Sequence, residues 1–277
     1  MRLVTSSGEA RTARRALAGT VGLVPTMGAL HAGHLSLVRR ARDENAHVAA
    51  SVFVNPAQFG PKEDLASYPR PLERDLELLE KEGVALVLVP EPAAMYPAGF
   101  ETWVEPGPLA ARLEGERRPG HFRGVLTVVA KLLNAFEPDR AYFGQKDAQQ
   151  VAVVRRLAQD LDLAVEVRVC PTVRESDGLA MSSRNAYLDP IERVAAGSLS
   201  DALRLASKGY AAGERDPGQL RKLLLARLEA EPLARVDYAE VVDPETFSGP
   251  GNLAVLAVWI GKTRLIDNHD LAKAFPG

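Results

Sequence analysis

Apolar positions in this chain follow two periods. Short apolar runs at 21–24, 47–54, 84–89, 140–143 and 165–170 read as strands. Between them apolar residues recur at helical spacing: Leu35, Leu37, Val38 and Ala41 after the first run, Leu72, Leu76 and Leu79 within 71–82, then 124–136 and 148–160. Asn55-Pro56 and Pro90 punctuate two of the strands. Strands alternating with helices predict an α/β fold, a parallel sheet covered on both faces. Ligands of such sheets lie beyond the carboxyl ends of the strands. The pattern changes after about residue 174, with helices expected at 191–207 and 219–229 and strands at 236–242, 253–260 and 263–268. Gly261-Lys262 suits a hairpin turn between the last two. The expected organisation is one domain over 1–174 and a smaller α+β domain with an antiparallel sheet over 175–277. The Arg- and Gly-rich segment 114–121 reads as a loop, and the first core strand is expected at about residue 21.

Composition narrows the partners. The 277 residues carry a net charge of −2, unlike the basic footprint of a nucleic-acid binder. The single cysteine, Cys170, permits no intrachain disulfide and reads as a small buried strand residue. No apolar run reaches the roughly 18 residues of a membrane span. Residues 1–20 hold Arg2, Arg11, Arg14 and Arg15 without a continuous apolar stretch, so no secretory signal is expected and the cytoplasm is the expected location.

Polar residues gather where the predicted strands end. Pro25-Thr-Met-Gly-Ala-Leu-His-Ala-Gly-His34 turns from a strand into a helix and puts His31 and His34 near the helix N-terminus. Backbone N–H groups and the positive end of the helix dipole favour phosphate there. Two imidazoles can hydrogen-bond charge developing on phosphorus. An isolated histidine at a helix start is ordinarily a cap, but His-x-Gly-His directly after a strand is more selective. Asn55 and Gln58 follow the next strand and suit hydroxyl or carboxylate recognition, or a turn cap and a surface amide. Gly144-Gln145-Lys146-Asp147, with Gln150 beyond, offers a point charge at another helix start, or a solvated cap. In Met181-Ser182-Ser183-Arg184-Asn185, two hydroxyls and a guanidinium suit a polyphosphate. His121 and Arg123 divide evenly between function and solvated surface. No set of protein metal ligands stands out.

Taken in order, these blocks resemble the pantothenate synthetase (pantoate–β-alanine ligase) family. The resemblance rests on residues 25–34, Ser51-Val-Phe-Val-Asn-Pro-Ala-Gln-Phe59, Tyr68-Pro-Arg70, His121-Phe-Arg-Gly-Val125, Tyr142-Phe-Gly-Gln-Lys-Asp147 and Met181–Asn185. It implies a Rossmann-like domain with a smaller carboxy-terminal lid, a homodimer, and ligation of pantoate to β-alanine driven by ATP with Mg2+. A pantoyl adenylate forms first, and pyrophosphate and AMP are released. The resemblance implies that Met27, Gly28, Ala29, Leu30, His31, Ala32, Gly33 and His34 hold ATP. Gly144, Gln145, Lys146, Asp147, Val173, Met181, Ser182, Ser183 and Arg184 are expected to join them on the nucleotide. Pro25, Thr26, Asn55, Gln58, Tyr68 and Gln150 are expected on pantoate, with Met27, Phe59 and Phe143 as walls. His31, His34, Lys146 and Arg184 are the expected catalytic groups, and Asp75 is expected to support the metal through water. Two other readings stay open. One is an adenylyl- or cytidylyltransferase of the same superfamily acting on another small substrate, and the other is a non-catalytic binding protein.

Overall fold

The computed structural model describes residues 1–61 and 63–276. By internal contacts the chain divides into two units, Met1–Gly144 with Gln149–Cys170, and Gln145–Ala148 with Pro171–Gly277. The first unit is a six-stranded sheet of β1 (Arg2–Val4), β2 (Val21–Thr26), β3 (His47–Val52), β4 (Leu86–Leu88), β5 (Arg140–Gly144) and β6 (Glu166–Cys170). All its pairings are parallel and its order is β1-β4-β3-β2-β5-β6. Its helices are α1 (Ser7–Arg15), α2 (Ala32–Glu44), α3 (Leu72–Lys81), the short α4 (Pro92–Met95) and α5 (Glu114–Arg117), α6 (His121–Phe136), and α7 (Ala148–Asp160) beyond its first residue.

Strand periodicity sorts the core into two layers. Leu23, Ala49, Leu86, Leu88, Ala141 and Phe143 pack with apolar residues of α1, α6 and α7 on one face. Val24, Val48, Ala50, Val87 and Tyr142, which alternate with them, pack with Leu37, Val38, Ala41 and Leu79 of α2 and α3 on the other. The expected parallel sheet covered on both faces is therefore present.

The second unit packs α8 (Pro190–Ala211) and α9 (Pro217–Glu229) on an antiparallel sheet of β7 (Ala234–Val242), β8 (Leu253–Ile260) and β9 (Thr263–Asp270). Ile260 pairs with Thr263, so Gly261-Lys262 forms the expected two-residue turn, with Gly261 at φ 55°. No helix among the described residues is long and apolar enough to cross a membrane.

Some expectations need correction. Residues 1–20 are not a lead-in to the sheet: β1 forms its edge, and α1 is closed by a capping box between Ser6 and Glu9. That helix buries only Ala10 and Ala13, and β1 buries only Val4, so neither shows an apolar stripe in the sequence. Segment 114–121 is not a loop. It holds α5 and the first residue of α6, whose start lies three residues before the expected one. Buried Glu114 and His121 anchor that segment, and its many charged residues conceal the helix in the hydrophobic pattern.

Gly124 sets the distance between α6 and the turn at 55–58, because a Cβ there would lie 2.1 Å from the Ala57 carbonyl oxygen. Gly124→Ala is expected to destabilise the protein by about 1–3 kcal/mol, overpacking outweighing the better helix propensity of alanine. Gly197→Ala is the control. A Cβ at that position within α8 meets nothing within 4 Å, so stabilisation by about 0.5–1 kcal/mol is expected. Urea-unfolding midpoints of the two variants check the opposite signs.

Candidate active site

The sheet opens where its strand order reverses. β2 pairs with β3 through to Thr26↔Val52 but with β5 only at Gly22↔Arg140 and Leu23↔Ala141. Pro25 has no N–H to offer a ladder. From β2 the chain runs to β3 on one side, while β5 and β6 lie on the other, so the gap beyond Leu23 is the switch point at which such sheets bind ligands.

The Met27–Leu30 turn leaves β2 at this gap. Gly28 and Ala29 are both left-handed, at φ 82° and 50°. A Cβ on Gly28 would also lie 2.9 Å from Asp75 Oδ2, so glycine is required for space as well as conformation. Asp75 of α3 is buried and accepts the N–H groups of Ala29 and Leu30, each at 2.8 Å. Burial pushes its carboxyl above the ordinary range, against the lowering effect of those two bonds. The Thr26 hydroxyl donates to the Ser51 carbonyl at 2.7 Å and accepts from Gly28 N–H at 3.2 Å. The polar groups of Thr26 and the amides of Ala29 and Leu30, expected on ligands, thus shape the turn, and the Leu30 side chain is core. Asp75, expected near a metal, holds that same turn.

His31 is the N-cap of α2. Its Nδ1 accepts the Gly33 N–H at 3.2 Å, and His34 Nδ1 accepts the His31 N–H at 3.4 Å. An Nδ1 that accepts leaves the proton of the neutral ring on Nε2. Both imidazoles therefore carry an Nε2–H donor, on rings whose centroids are 4.1 Å apart and tilted by 35°.

Gln58 is held on several sides. Its Nε2 lies 3.1 Å from Met27 Sδ, and its Oε1 accepts from Asn55 Nδ2 at 3.0 Å. Asn55, 1% exposed, also donates to the Gly124 carbonyl, and its Oδ1 accepts from Ala57 N–H and the Tyr96 hydroxyl. Every polar atom of the Asn55 side chain is thus bonded within the protein, which makes it a brace for Gln58. Burial pushes the Tyr96 hydroxyl up to about 12, which keeps it a donor. Beneath Gln58, His121 Nδ1 lies 2.9 Å from the Gln58 carbonyl, and its Nε2 lies 3.1 Å from Arg118 Nη1. A guanidinium only donates, so Nε2 accepts and Nδ1–H donates to the carbonyl. Arg118 is fixed by a two-pronged pair with Glu63, at 2.9 and 2.6 Å. Burial, reinforced by Arg118, pushes His121 down to about 4. Tyr68 is buried edge-on against Phe59, with ring centroids 5.9 Å apart. Gln150 is half-buried in the first turn of α7, and Phe143 is core. Arg123 stacks on Trp103 at 4.2 Å and pairs with Glu105 at 3.0 Å.

The second unit holds Gln145–Asp147 as a 3-10 turn and residues 173–185 as a compact hairpin. Lys146 Nζ lies 3.4 Å from Asp147 Oδ2. Met181 N–H donates to the Val173 carbonyl, and Arg174 bridges to Ala180. Ser182 caps the turn Ser183–Tyr187 by accepting Arg184 N–H at 3.3 Å. Arg174 grips buried Asp267 through two bonds of 2.6 and 3.0 Å.

Several structural roles escaped the sequence reading, among them Asp75 as the brace of the Met27–Leu30 turn and His121 as the brace of Gln58. Asp75 interrupts the apolar face Leu72-Leu76-Leu79, a detectable sign of a buried polar role. The Arg118–His121 chain, Gln149, which bonds Glu114 N–H and the Leu109 and Arg112 carbonyls, and Arg174–Asp267 leave no such mark.

A doubly covered parallel sheet with a histidine-bearing helix start at its switch point makes this an α/β protein whose candidate site offers donors suited to an anion. The family model for pantoate-beta-alanine ligase matches residues 2–270. The pantothenate synthetase of Roseiflexus sp. (strain RS-1) is 61% identical over 274 residues, 97% of this chain and 98% of its own. The crystal structure of pantothenate synthetase from Thermus thermophilus superposes with a TM-score of 0.93 at 48% identity, covering 98% of this chain and 99% of its own. The pantoate-beta-alanine ligase from Francisella tularensis, solved with Beta-gamma ATP and Beta-alanine, gives 0.83 at 34% identity, covering 99% and 98%. The chain belongs to the pantoate–β-alanine ligase family.

The buried, neutral His121 makes stability depend on pH. Its folded value of about 4 lies below the ordinary 6.5, so its favourable contribution is complete above pH 6.5 and lost as pH falls toward 4. The loss is expected to be roughly 2–4 kcal/mol. His121→Gln should lower stability at pH 7.5 yet flatten the decline between pH 6.5 and 4. Urea denaturation at stepped pH measures both slopes.

Proposed function

We infer that this chain joins pantoate to β-alanine using ATP, through a pantoyl adenylate, with release of pyrophosphate and AMP. One observation carries the reading: the family match spans residues 2–270, nearly the whole chain. The Francisella tularensis relative with Beta-gamma ATP and Beta-alanine supports the same substrates here.

In the first step a pantoate carboxylate oxygen attacks the α-phosphorus, the bond to the β-phosphate bridge breaks, and pyrophosphate leaves. In the second the β-alanine amine attacks the acyl carbon, loses a proton, and expels AMP. A carboxylate alone would have to expel oxide, so adenylation supplies the leaving group. The protein's task is to position two anions and offset their charge. No enzyme nucleophile is required, and Cys170 is unsuited to be one because burial pushes its thiol up.

Roles follow as part of this proposal. The Nε2–H groups of His31 and His34 donate to ATP phosphate oxygens, and His34 also serves as a proton donor. Lys146 offsets charge on the α-phosphate during attack. Ser183 and Arg184 hold the departing pyrophosphate on the turn that Ser182 caps. Gln58 and Gln150 bind the pantoate hydroxyls and carboxylate, with Tyr68 beside them. Met27, Gly144, Gln145, Asp147, Val173 and Met181 line the nucleotide. Mg2+ arrives with ATP as part of that substrate. The proposal extends to a cytoplasmic homodimer whose residues 175–277 act as a lid.

Lys146→Ala is expected to slow pyrophosphate formation from ATP and pantoate by about 10²-fold or more, with little change in the KM for pantoate. Gln58→Ala should instead raise that KM at least ~10-fold. Single-turnover pyrophosphate release and steady-state kinetics separate the two. Wild-type protein should release pyrophosphate with pantoate alone, and form AMP and pantothenate only once β-alanine is added. Pyrophosphate without AMP across candidate acids would indicate a nucleotidyltransferase instead.

A further inference from the structure

Asn268, near the end of β9, lies outside every block that carries the family resemblance. It is 4% exposed, and its side chain binds the turn that presents Lys146. Asn268 Nδ2 donates to the carbonyls of Gln145 at 2.9 Å and Lys146 at 2.8 Å, while its Oδ1 accepts from Gln145 Nε2 at 3.2 Å. One amide thus binds two consecutive carbonyls and the side chain of the first, which fixes the peptide plane between Gln145 and Lys146. The lysine side chain pairs with its neighbour Asp147 at 3.4 Å. The main chain that Asn268 fixes sets the point from which that side chain projects.

Asn268 is itself fixed. Its strand partner is Val255 on β8, and its N–H donates to Asp267 Oδ1 at 2.8 Å. The same Asp267 carboxylate, 2% exposed, receives the two bonds from Arg174 at the base of the 173–185 hairpin. Two adjacent residues of β9 therefore hold the Lys146 turn and the hairpin bearing Ser183 and Arg184. Asp and Asn are poor strand formers, so their place inside β9 calls for a compensating role.

We propose that Asn268 is a positioning residue for adenylation, which acts by fixing the main chain of Lys146 in register with the hairpin anchored by Arg174–Asp267. The proposal rests on the role given to Lys146 above. Losing the amide frees the turn while leaving the lysine charge in place. The cost falls on the rate of attack at phosphorus, which is sensitive to displacements of about 1 Å.

The test measures single-turnover pyrophosphate formation at saturating ATP and pantoate for Asn268→Ala, Asn268→Ser, Lys146→Ala and the Lys146→Ala/Asn268→Ala double variant, with the thermal midpoint of each. Asn268→Ala should slow the step by about 10- to 10²-fold with the KM for pantoate nearly unchanged. Asn268→Ser, which keeps one donor, should recover part of the rate. The double variant should be no slower than Lys146→Ala alone, since a lysine that is absent cannot be misplaced. Losses that multiply in the double variant, or wild-type rates in both folded Asn268 variants, overturn the positioning role and leave the role of Lys146 intact. If Asn268→Ala fails to fold, Asn268→Ser carries the same comparison in both backgrounds. A Lys146→Ala variant at wild-type rate overturns the assignment of Lys146, and the inference with it.

Discussion

A buried carboxylate holds the chain across the opening in the sheet. Asp75 receives the N–H groups of two consecutive residues, Ala29 and Leu30, from a turn whose backbone is twice left-handed. A non-glycine residue at positive φ is costly unless its surroundings determine it. Here Asp75 pulls on both amides, the Thr26 hydroxyl binds Gly28, and buried Leu30 locks the exit. The next residue is His31. Its ring reaches the start of α2 because the turn before it is fixed, so a residue of α3 sets the geometry from which His31 projects.

Polar residues near the switch point divide by how many of their atoms the protein engages. Asn55 has none left over, the Thr26 hydroxyl bonds the Ser51 carbonyl and the Gly28 N–H, and each oxygen of Asp75 binds a backbone amide. Such groups set positions. Gln58 differs in kind, for its Nε2 faces the sulfur of Met27, a weaker acceptor than an oxygen. The backbone of Gln58 is meanwhile tied to His121 and braced by the closely packed Gly124. An amide on a stiff support, with a weak partner at its tip, fits the substrate-binding role proposed for Gln58.

The same distinction explains how much the sequence reveals. Period and punctuation disclosed the sheet, most helices and the hairpin at Gly261-Lys262, because burial of strand faces leaves an alternating record. Local motifs pointed to His31, His34 and Gln58, and the structure places all three directly after strands β2 and β3. Bonds over long separations leave no periodic trace. Asp75 reaches back 46 residues to Ala29, His121 63 residues to Gln58, and Asn268 122 residues to Lys146. Thr26 and Asn55 could be picked out as special, yet the sequence did not tell whether they meet substrate or backbone. That answer depends on how many of their atoms the fold satisfies first.

The choice of histidine at the start of α2 follows from the same accounting of atoms. A helix start requires an acceptor for its exposed N–H groups, and a phosphate requires a donor. Serine and aspartate cap well, but ionised aspartate has no proton to donate and would repel phosphate. Lysine and arginine donate but cannot cap, having no acceptor. Asparagine has both functions on adjacent atoms of one short amide. Neutral imidazole separates them across a rigid ring: Nδ1 of His31 accepts from Gly33, Nδ1 of His34 accepts from His31, and each bond leaves the proton on Nε2. The interaction that caps the helix therefore also sets the tautomer that can donate to a phosphate oxygen, on two rings whose centroids are 4.1 Å apart.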